Sequence, residues 1–453
     1  MSARKAAMVR TILFAIAAVY LVHQLTRLEL LTPVLGSLVF VAILLMLPNL
    51  KGMTLWLTVA FIAIGAVLLL QQGAALSGWF DAATVNVTIV TLFLFAPLFG
   101  IPVRIPAYIE ALKQYYDTSL RRNRDLFIGT QLLTQLLGVF INVGSIPVVY
   151  QMVFARPQSS MSKLFSNALN RGFAGAIYWS PYFAAMTLVT TALALSWTSI
   201  LPYMLGLAGI SIAVSWMVDR RELKQDEAVA ASQVPASAPN KSSFPRGLGM
   251  YLLASILVIL VMERTVKLPM VMLICMSALI VPLLWCMAKR KIDVYREGVR
   301  NHLFVMLPAL QKEIALFLSA GFFSGSIGAT GFGSAVPAWL EQVPLPIAVT
   351  FSVFAVALIA GTSLIGLHPI VPVTILASGV APSDVHISPT YFAVLLLGSW
   401  ALSNPISPAS AVNNLLAGLF RKPVLEVARQ NYKFAACMGI ALILYLTLIG
   451  IIG

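Results

Sequence analysis

The chain of 453 residues is 59% hydrophobic and only 10% charged, with a mean hydropathy of +0.91. A soluble globule carries about a quarter charged residues, so a water-soluble domain is excluded and a bilayer protein is indicated. The formal net charge of +14 does not signal a nucleic-acid partner, because the basic residues stand in short loops between apolar runs.

The basic start, Met1 to Arg10, leads into an apolar run with no small-residue cleavage site after it. It therefore reads as a retained first transmembrane helix. Crossings are expected at 9–25, 31–48, 53–71, 83–100, 171–192, 198–217, 248–263, 268–288, 303–325, 390–417 and 432–452, each near the roughly 20 residues that a bilayer requires. Two further apolar stretches, 126–154 and 347–380, carry Gly, Pro and polar residues at their centres. Either one, taken as a single crossing, breaks the positive-inside rule, so both are expected to be re-entrant hairpins. With the N-terminus in the cytoplasm, all 30 Lys and Arg residues except Arg27, Arg264, Lys267 and Lys312 fall on the cytoplasmic side. That bias sets orientation and points to a multi-pass protein of the bacterial cytoplasmic (inner) membrane. The three cysteines, Cys275, Cys286 and Cys437, lie in or beside apolar segments and form no metal-ligand or disulfide spacing.

One polar segment interrupts the apolar pattern. It begins Asp219-Arg220-Arg221 and runs on through Ala, Ser and Pro, the composition of a flexible linker. The expected organisation is a first repeat over 1–218, a cytoplasmic linker over 219–247 and a second repeat over 248–453. The two halves share their punctuation. In the first, a hairpin breaks at Asn142-Val143-Gly144-Ser145-Ile146-Pro147 and a later helix at Trp179-Ser180-Pro181. In the second, a hairpin breaks at Gly366-Leu367-His368-Pro369 and a later helix at Ser403-Asn404-Pro405-Ile406-Ser407-Pro408. The charge topology opens the first hairpin to the cytoplasm and the second to the outside, which makes the repeats inverted. Proline removes a backbone donor, and in lipid the freed groups survive only inside protein or along a wet cavity. Paired interruptions in corresponding positions of two halves therefore mark a midplane binding site.

At these residues the chain resembles the ion transporter superfamily of secondary carriers. That group takes in divalent-anion/sodium symporters, citrate carriers, arsenite-type carriers and the membrane subunits of tripartite carboxylate transporters. The resemblance implies an all-α polytopic fold of two inverted repeats, about eleven transmembrane helices and two re-entrant hairpins. It also implies arm helices near 105–124 and 335–343, an elevator mechanism and a homodimer. In the sodium-dicarboxylate branch, Ser-Asn-Thr motifs occupy the hairpin tips. Here the tips read Asn142-Val143-Gly144-Ser145 and Gly366-Leu367-His368-Pro369, and the nearest echo, Ser403-Asn404-Pro405, falls on the broken helix.

The candidate substrate-binding residues are Asn142, Ser145, Ser180, His368, Thr374, Asn404 and Ser407. The candidate ion-binding residues are Asn142, Gly144, Ser403, Asn404 and Ser410. Their amides and hydroxyls suit carboxylate oxygens, or a sodium ion shared with backbone carbonyls; each is also a residue type that merely caps a broken helix. His368 is the one titratable group at a hairpin centre and offers a proton route; the resemblance points instead to sodium. Lys312 and Glu313 are expected to form a salt bridge near the cytoplasmic end of their helix. No carboxylate is then left at mid-membrane, which favours an anionic substrate. The expected function is secondary transport of a small organic anion of the carboxylate class, with no cofactor beyond a coupling Na⁺ or H⁺. A flippase for lipid-linked or bulkier cargo is the alternative. An intramembrane enzyme is disfavoured, because no His-Glu-x-x-His, paired aspartates or Gly-x-Ser-x-Gly with partners occurs. No catalytic or metal-binding residue is assigned.

Overall fold

The computed structural model describes residues 3–120, 122–153, 161–230, 243–331, 336, 339–340 and 342–452, and every regular element among them is helical. The first half holds α1 (Ala3–Thr26), α2 (Leu31–Met46), α3 (Gly52–Gln71), α4 (Leu76–Thr84), α5 (Val87–Phe95), α6 (Pro106–Ser119), α7 (Asn123–Ile141), α8 (Ser145–Val153), α9 (Ser162–Trp179), α10 (Ala184–Ala192) and α11 (Trp197–Ala230). The second holds α12 (Arg246–Thr265), α13 (Met270–Ala288), α14 (Ile292–Asn301), α15 (Gln311–Gly328), α16 (Ile347–Leu364), α17 (Ile370–Gly379), α18 (Pro389–Ser403), α19 (Ala411–Phe420), α20 (Val424–Arg429) and α21 (Tyr432–Ile452).

Among the described residues, eleven helices are long and apolar enough to cross a membrane, and a twelfth is added if the bent pair Ile292–Ala309 and Gln311–Gly328 is one span. Only structures that satisfy their own backbone cross lipid, and the chain is a multi-pass membrane protein. Burial sorts the spans. Pro389–Phe420 is 89% enclosed by the rest of the protein, whereas Gly52–Gln71 is 22% enclosed. The α18–α19 span is therefore central, and α3, with Trp56, Ile64 and Leu70 exposed, belongs to the lipid-facing rim.

Both apolar stretches with polar centres are interrupted, the first between α7 and α8 and the second between α16 and α17, and both Asn123–Met152 and Ile347–Leu364 are also among the eleven candidate spans. α8 packs against α7, and α17 packs against α16. After each hairpin comes a helix broken in its middle, α9–α10 in the first half and α18–α19 in the second. The packing is reciprocal. α10 lies on α17 and α18, while α19 lies on α8 and α9. α7 and α9 approach closely because Gly172 faces α7, where a Cβ would stand 2.5 Å from the Gln131 carbonyl oxygen. No side chain fits there.

Several boundaries differ from those expected. The helix expected over 83–100 is two, α4 and α5, parted at Asn86, whose Nδ2 donates to the Phe317 carbonyl at 2.9 Å and ties α5 to α15. The helix expected from residue 171 begins at Ser162, because Lys163, Asn167 and Asn170 lower its hydropathy while packing holds it helical. The helix expected over 303–325 starts at Ile292, passes through a π-helical turn at His302–Met306 and bends by 60° before α15. Pro308 stands at that bend and supplies no backbone donor. The linker expected from 219 is helical up to Ala230 as the end of α11. Its Asp219 is buried against Arg171 of α9, and its Glu222 pairs with Lys163. Residues 231–242 of the linker, and 335, 337, 338 and 341 of the second arm expected at 335–343, lie outside the described residues; the stretch expected to be the first arm forms α6.

Candidate substrate cavity

A cavity of about 190 Å³ lies where the two hairpin tips and the two helix breaks meet. The first tip contributes Asn142, Val143 and Gly144, and the second contributes His368. The first broken helix contributes Phe173, Ile177, Phe183 and Ala184, and the second contributes Trp400, Asn404, Ala411 and Val412. α5 adds Phe93, and α15 adds Glu313 and Phe317. The lining is therefore aromatic, with four polar side chains set into it, those of Asn142, His368, Asn404 and Glu313.

The first tip is held in an unusual backbone conformation. Asn142 ends α7 with φ 56° and ψ −136°, a region that costs a non-glycine residue about 1–3 kcal/mol and persists mainly where the side chain is needed. Its Oδ1 accepts the Val143 N–H at 2.7 Å, and its carbonyl accepts the Ser145 hydroxyl at 2.8 Å. Gly144 faces Arg104, whose Nη2 would lie 3.5 Å from a Cβ at that position. The second tip turns at Gly366, φ 92°, where the absent side chain removes the cost. His368 Nδ1 then accepts the Ile370 N–H at 3.1 Å and caps α17. Its ring packs beside Phe317 and Trp400, with centroids 5.0 and 5.7 Å away.

The expected site residues divide into two groups. Asn142, Gly144, His368 and Asn404 line the cavity. The others do not line it. Ser180 donates to the Val139 carbonyl at 3.1 Å and accepts the Tyr182 N–H. Thr374 and Ser403 each donate to a carbonyl one turn back, at Ile370 and Ser399. Ser145 bonds Asn142 as described. At the second break, Asn413 Nδ2 donates to the carbonyls of Pro405 and Ser407, while the Ser410 hydroxyl donates to Asn404 Oδ1 and accepts the Asn413 N–H. Asn170 Nδ2 reaches Asn413 Oδ1 at 2.6 Å and joins the two broken helices directly.

Glu313 overturns the expectation of a membrane interior without carboxylates. Met306, Leu310, Glu313 and Phe317, spaced 4, 3 and 4 residues apart, all line the cavity, Met306 before the 60° bend, Leu310 at it and the last two on α15 after it. Lys312, one residue before Glu313, is exposed. The ion pair expected between the two does not form, since consecutive residues on a helix point about 100° apart. Arg104 was likewise hidden among the Pro- and Gly-rich residues that end the fourth crossing. The 306–310–313–317 periodicity was the sequence signal for Glu313; Arg104 had none beyond its closeness to that interruption.

No family model and no curated relative matches the sequence. Among solved structures, the chain is similar to the YdaH transporter of Alcanivorax borkumensis, whose crystal structure is described as having an unusual topology. The match has a TM-score of 0.53 at 16% identity and covers 87% of this chain and 98% of that one. At this identity the likeness is one of fold, and it extends over nearly the whole of both molecules.

Proposed function

We propose that this chain is a secondary transporter which carries a small organic anion of the carboxylate class through the central cavity, driven by sodium or protons. One observation carries the proposal: a single cavity is lined by both hairpin tips and both broken helices. Irregular backbone is tolerated at membrane depth where it lines a cavity, and sites of this construction bind substrate and coupling ion together. The fold likeness to a protein named as a transporter supports the same class. The shared order of elements and the reciprocal packing of α10 and α19 support two inverted repeats. With them we propose an elevator movement of hairpins and broken helices against a rim that includes α3, in a homodimer. With these we propose a cytoplasmic N-terminus in a bacterial inner membrane, the orientation being supported by the Lys and Arg distribution.

The anion assignment draws on the amides of Asn142 and Asn404, which line the cavity; Arg104 is exposed and lies outside the lining, near Gly144. The aromatic lining favours a carboxylate with an apolar body. A cavity of about 190 Å³ is smaller than the roughly 300 Å³ lower bound of ordinary ligand pockets, which disfavours lipid-linked cargo. His368 is poorly suited to carry the proton, since Nδ1 already accepts a backbone N–H and protonation there removes that bond. The test is uptake into proteoliposomes over a panel of carboxylates, with a sodium gradient, a proton gradient or neither. Gradient-dependent accumulation of one carboxylate is expected. Absence of uptake across the panel overturns the assignment of substrate class.

A further inference from the structure

We propose that Glu313 is the group that couples transport to protons, taking one up when a substrate anion enters the cavity and releasing it when the anion leaves. This rests on the transport function proposed above. Glu313 lies on the cavity-facing stripe of α15, and its Oε2 is buried without a hydrogen-bond partner. Phe317, one turn further along, stacks against His368, so the carboxylate and the second hairpin tip share one wall.

Few charges surround the carboxylate; its exposed neighbour Lys312 is one that acts on it and favours the ionised form. Of the residues lining the cavity, Glu313 and His368 are the titratable ones. The helices packed on α15 include α2, α3, α5 and α17, none of which carries a charged or titratable side chain. α4 carries Asp81, but its neighbours Ala82 and Val85 meet α15 at Gly325, three turns beyond Glu313. Lys312 points outward, and His302 in the preceding π-turn is engaged with the Leu94 carbonyl at 2.9 Å. Arg171 on α9 faces Asp219 and Asn431.

Opposing effects act on this side chain. Its place in the first turn of α15 favours the ionised form through the helix dipole. The burial of Oε2 without a donor favours the neutral form. Both forms are therefore accessible, as a proton carrier requires. Coupling follows from charge. With Glu313 ionised, an entering carboxylate places two negative charges in one small aromatic cavity, which is unfavourable. With Glu313 protonated, the loaded cavity holds one negative charge, the same as the empty ionised state. Anion binding and proton binding then favour each other by linkage. No bond other than the carboxylic O–H forms or breaks.

Two measurements on the purified full chain test this. The first is the infrared difference spectrum between acidic and alkaline buffer, which needs no substrate. A protonated-carboxyl band to which all 16 Asp and Glu residues can contribute is expected in the wild type, and one resolved component of it should be lost in Glu313→Gln. An unchanged band in the variant overturns the proposal. The second uses proteoliposomes with radiolabelled succinate and radiolabelled phenylacetate, a compact dicarboxylate and an aromatic monocarboxylate. Glu313→Gln should lose all stimulation by an acid-outside gradient while still exchanging internal for external label. Retained stimulation overturns the coupling role. Loss of exchange as well overturns it too, and makes Glu313 a direct substrate contact. If the wild type takes up neither probe, that failure bears on the transport assignment, and the infrared band alone decides whether Glu313 is the exchanging carboxyl.

Discussion

Arg171 and Glu313 both lie among the packed helices, and the fold treats them oppositely. Arg171 is fully buried, and its Nε and Nη1 meet partners while Nη2 meets none. Its Nη1 meets Asp219 Oδ2 at 2.9 Å and the Ser215 hydroxyl at 3.1 Å, its Nε meets Asn431 Oδ1 at 2.9 Å, and its guanidinium lies 4.7 Å from the Phe434 ring centroid. Asn167 adds a second donor to the same Asp219 oxygen. Glu313 faces a cavity, with one oxygen buried and unmatched. The Arg171 cluster joins α9, α11 and the start of α21 into one piece, and its charge is answered within the protein. At Glu313 the answer has to come from whatever enters the cavity. The difference between a structural and a functional buried charge lies here in whether the fold itself supplies the partner.

The largest expected effect tests the structural side. Arg171→Leu should lower stability by about 3–5 kcal/mol, because it leaves Asp219 buried and unpaired. The double substitution Arg171→Leu with Asp219→Leu should recover most of that loss, since removing both charges of a buried pair is often nearly neutral. Thermal unfolding in detergent measures both. A double variant no more stable than the single one would show that the packing, and not the charge pair, holds these helices. Glu313→Gln should behave in the opposite way, with a melting temperature equal to or above that of the wild type, because it removes a charge the fold does not answer. A loss of several kcal/mol there would place Glu313 in the same class as Arg171.

These same two residues show what was legible in the sequence and what was not. Hydropathy and proline positions were enough to locate the helix interruptions after α7, α9, α16 and α18, because those features are local. Arg171 looked like the cytoplasmic start of a helix, since the polar residues Ser162 to Asn170 hide a helical stretch whose partners on α7 and α11 are distant in sequence. Glu313 looked interfacial because Lys312 stands beside it and Pro308 precedes it. Only the 60° bend at that proline turns its stripe inward. For Ser180, Thr374, Ser403 and Ser410, residue type alone could not separate a ligand from a backbone cap. The deciding fact is the neighbouring carbonyl or amide that each hydroxyl meets.

A smaller effect is expected at the second tip. His368→Ala leaves the Ile370 N–H without its acceptor, which should cost about 1–2 kcal/mol. His368→Asn keeps an acceptor two residues before that N–H and should restore part of the loss. Equal destabilisation by both would assign the role to the ring packed between Phe317 and Trp400, and not to the cap. Neither variant should abolish the response of uptake to a proton gradient, which separates His368 from Glu313 within the one cavity.

The smallest effect on stability concerns the first tip. Asn142 adopts φ 56° with a side chain, where the second tip has Gly366 at φ 92°. Asn142→Gly should relieve backbone strain of about 1 kcal/mol. It also removes the Oδ1 contact to the Val143 N–H, worth about 0.5–1.5 kcal/mol, and adds chain entropy to the unfolded state. The three terms nearly cancel, so the melting temperature should move little in either direction. Function should not be so insensitive, because the variant deletes one of the two amides that line the cavity. The expected outcome is a nearly unchanged melt together with weakened carboxylate uptake. A marked stabilisation with unchanged uptake would show that the strained conformation serves neither binding nor folding, and Asn142 would leave the site. A marked destabilisation would mean that the Asn142 side chain holds the tip together, as the serines hold the breaks.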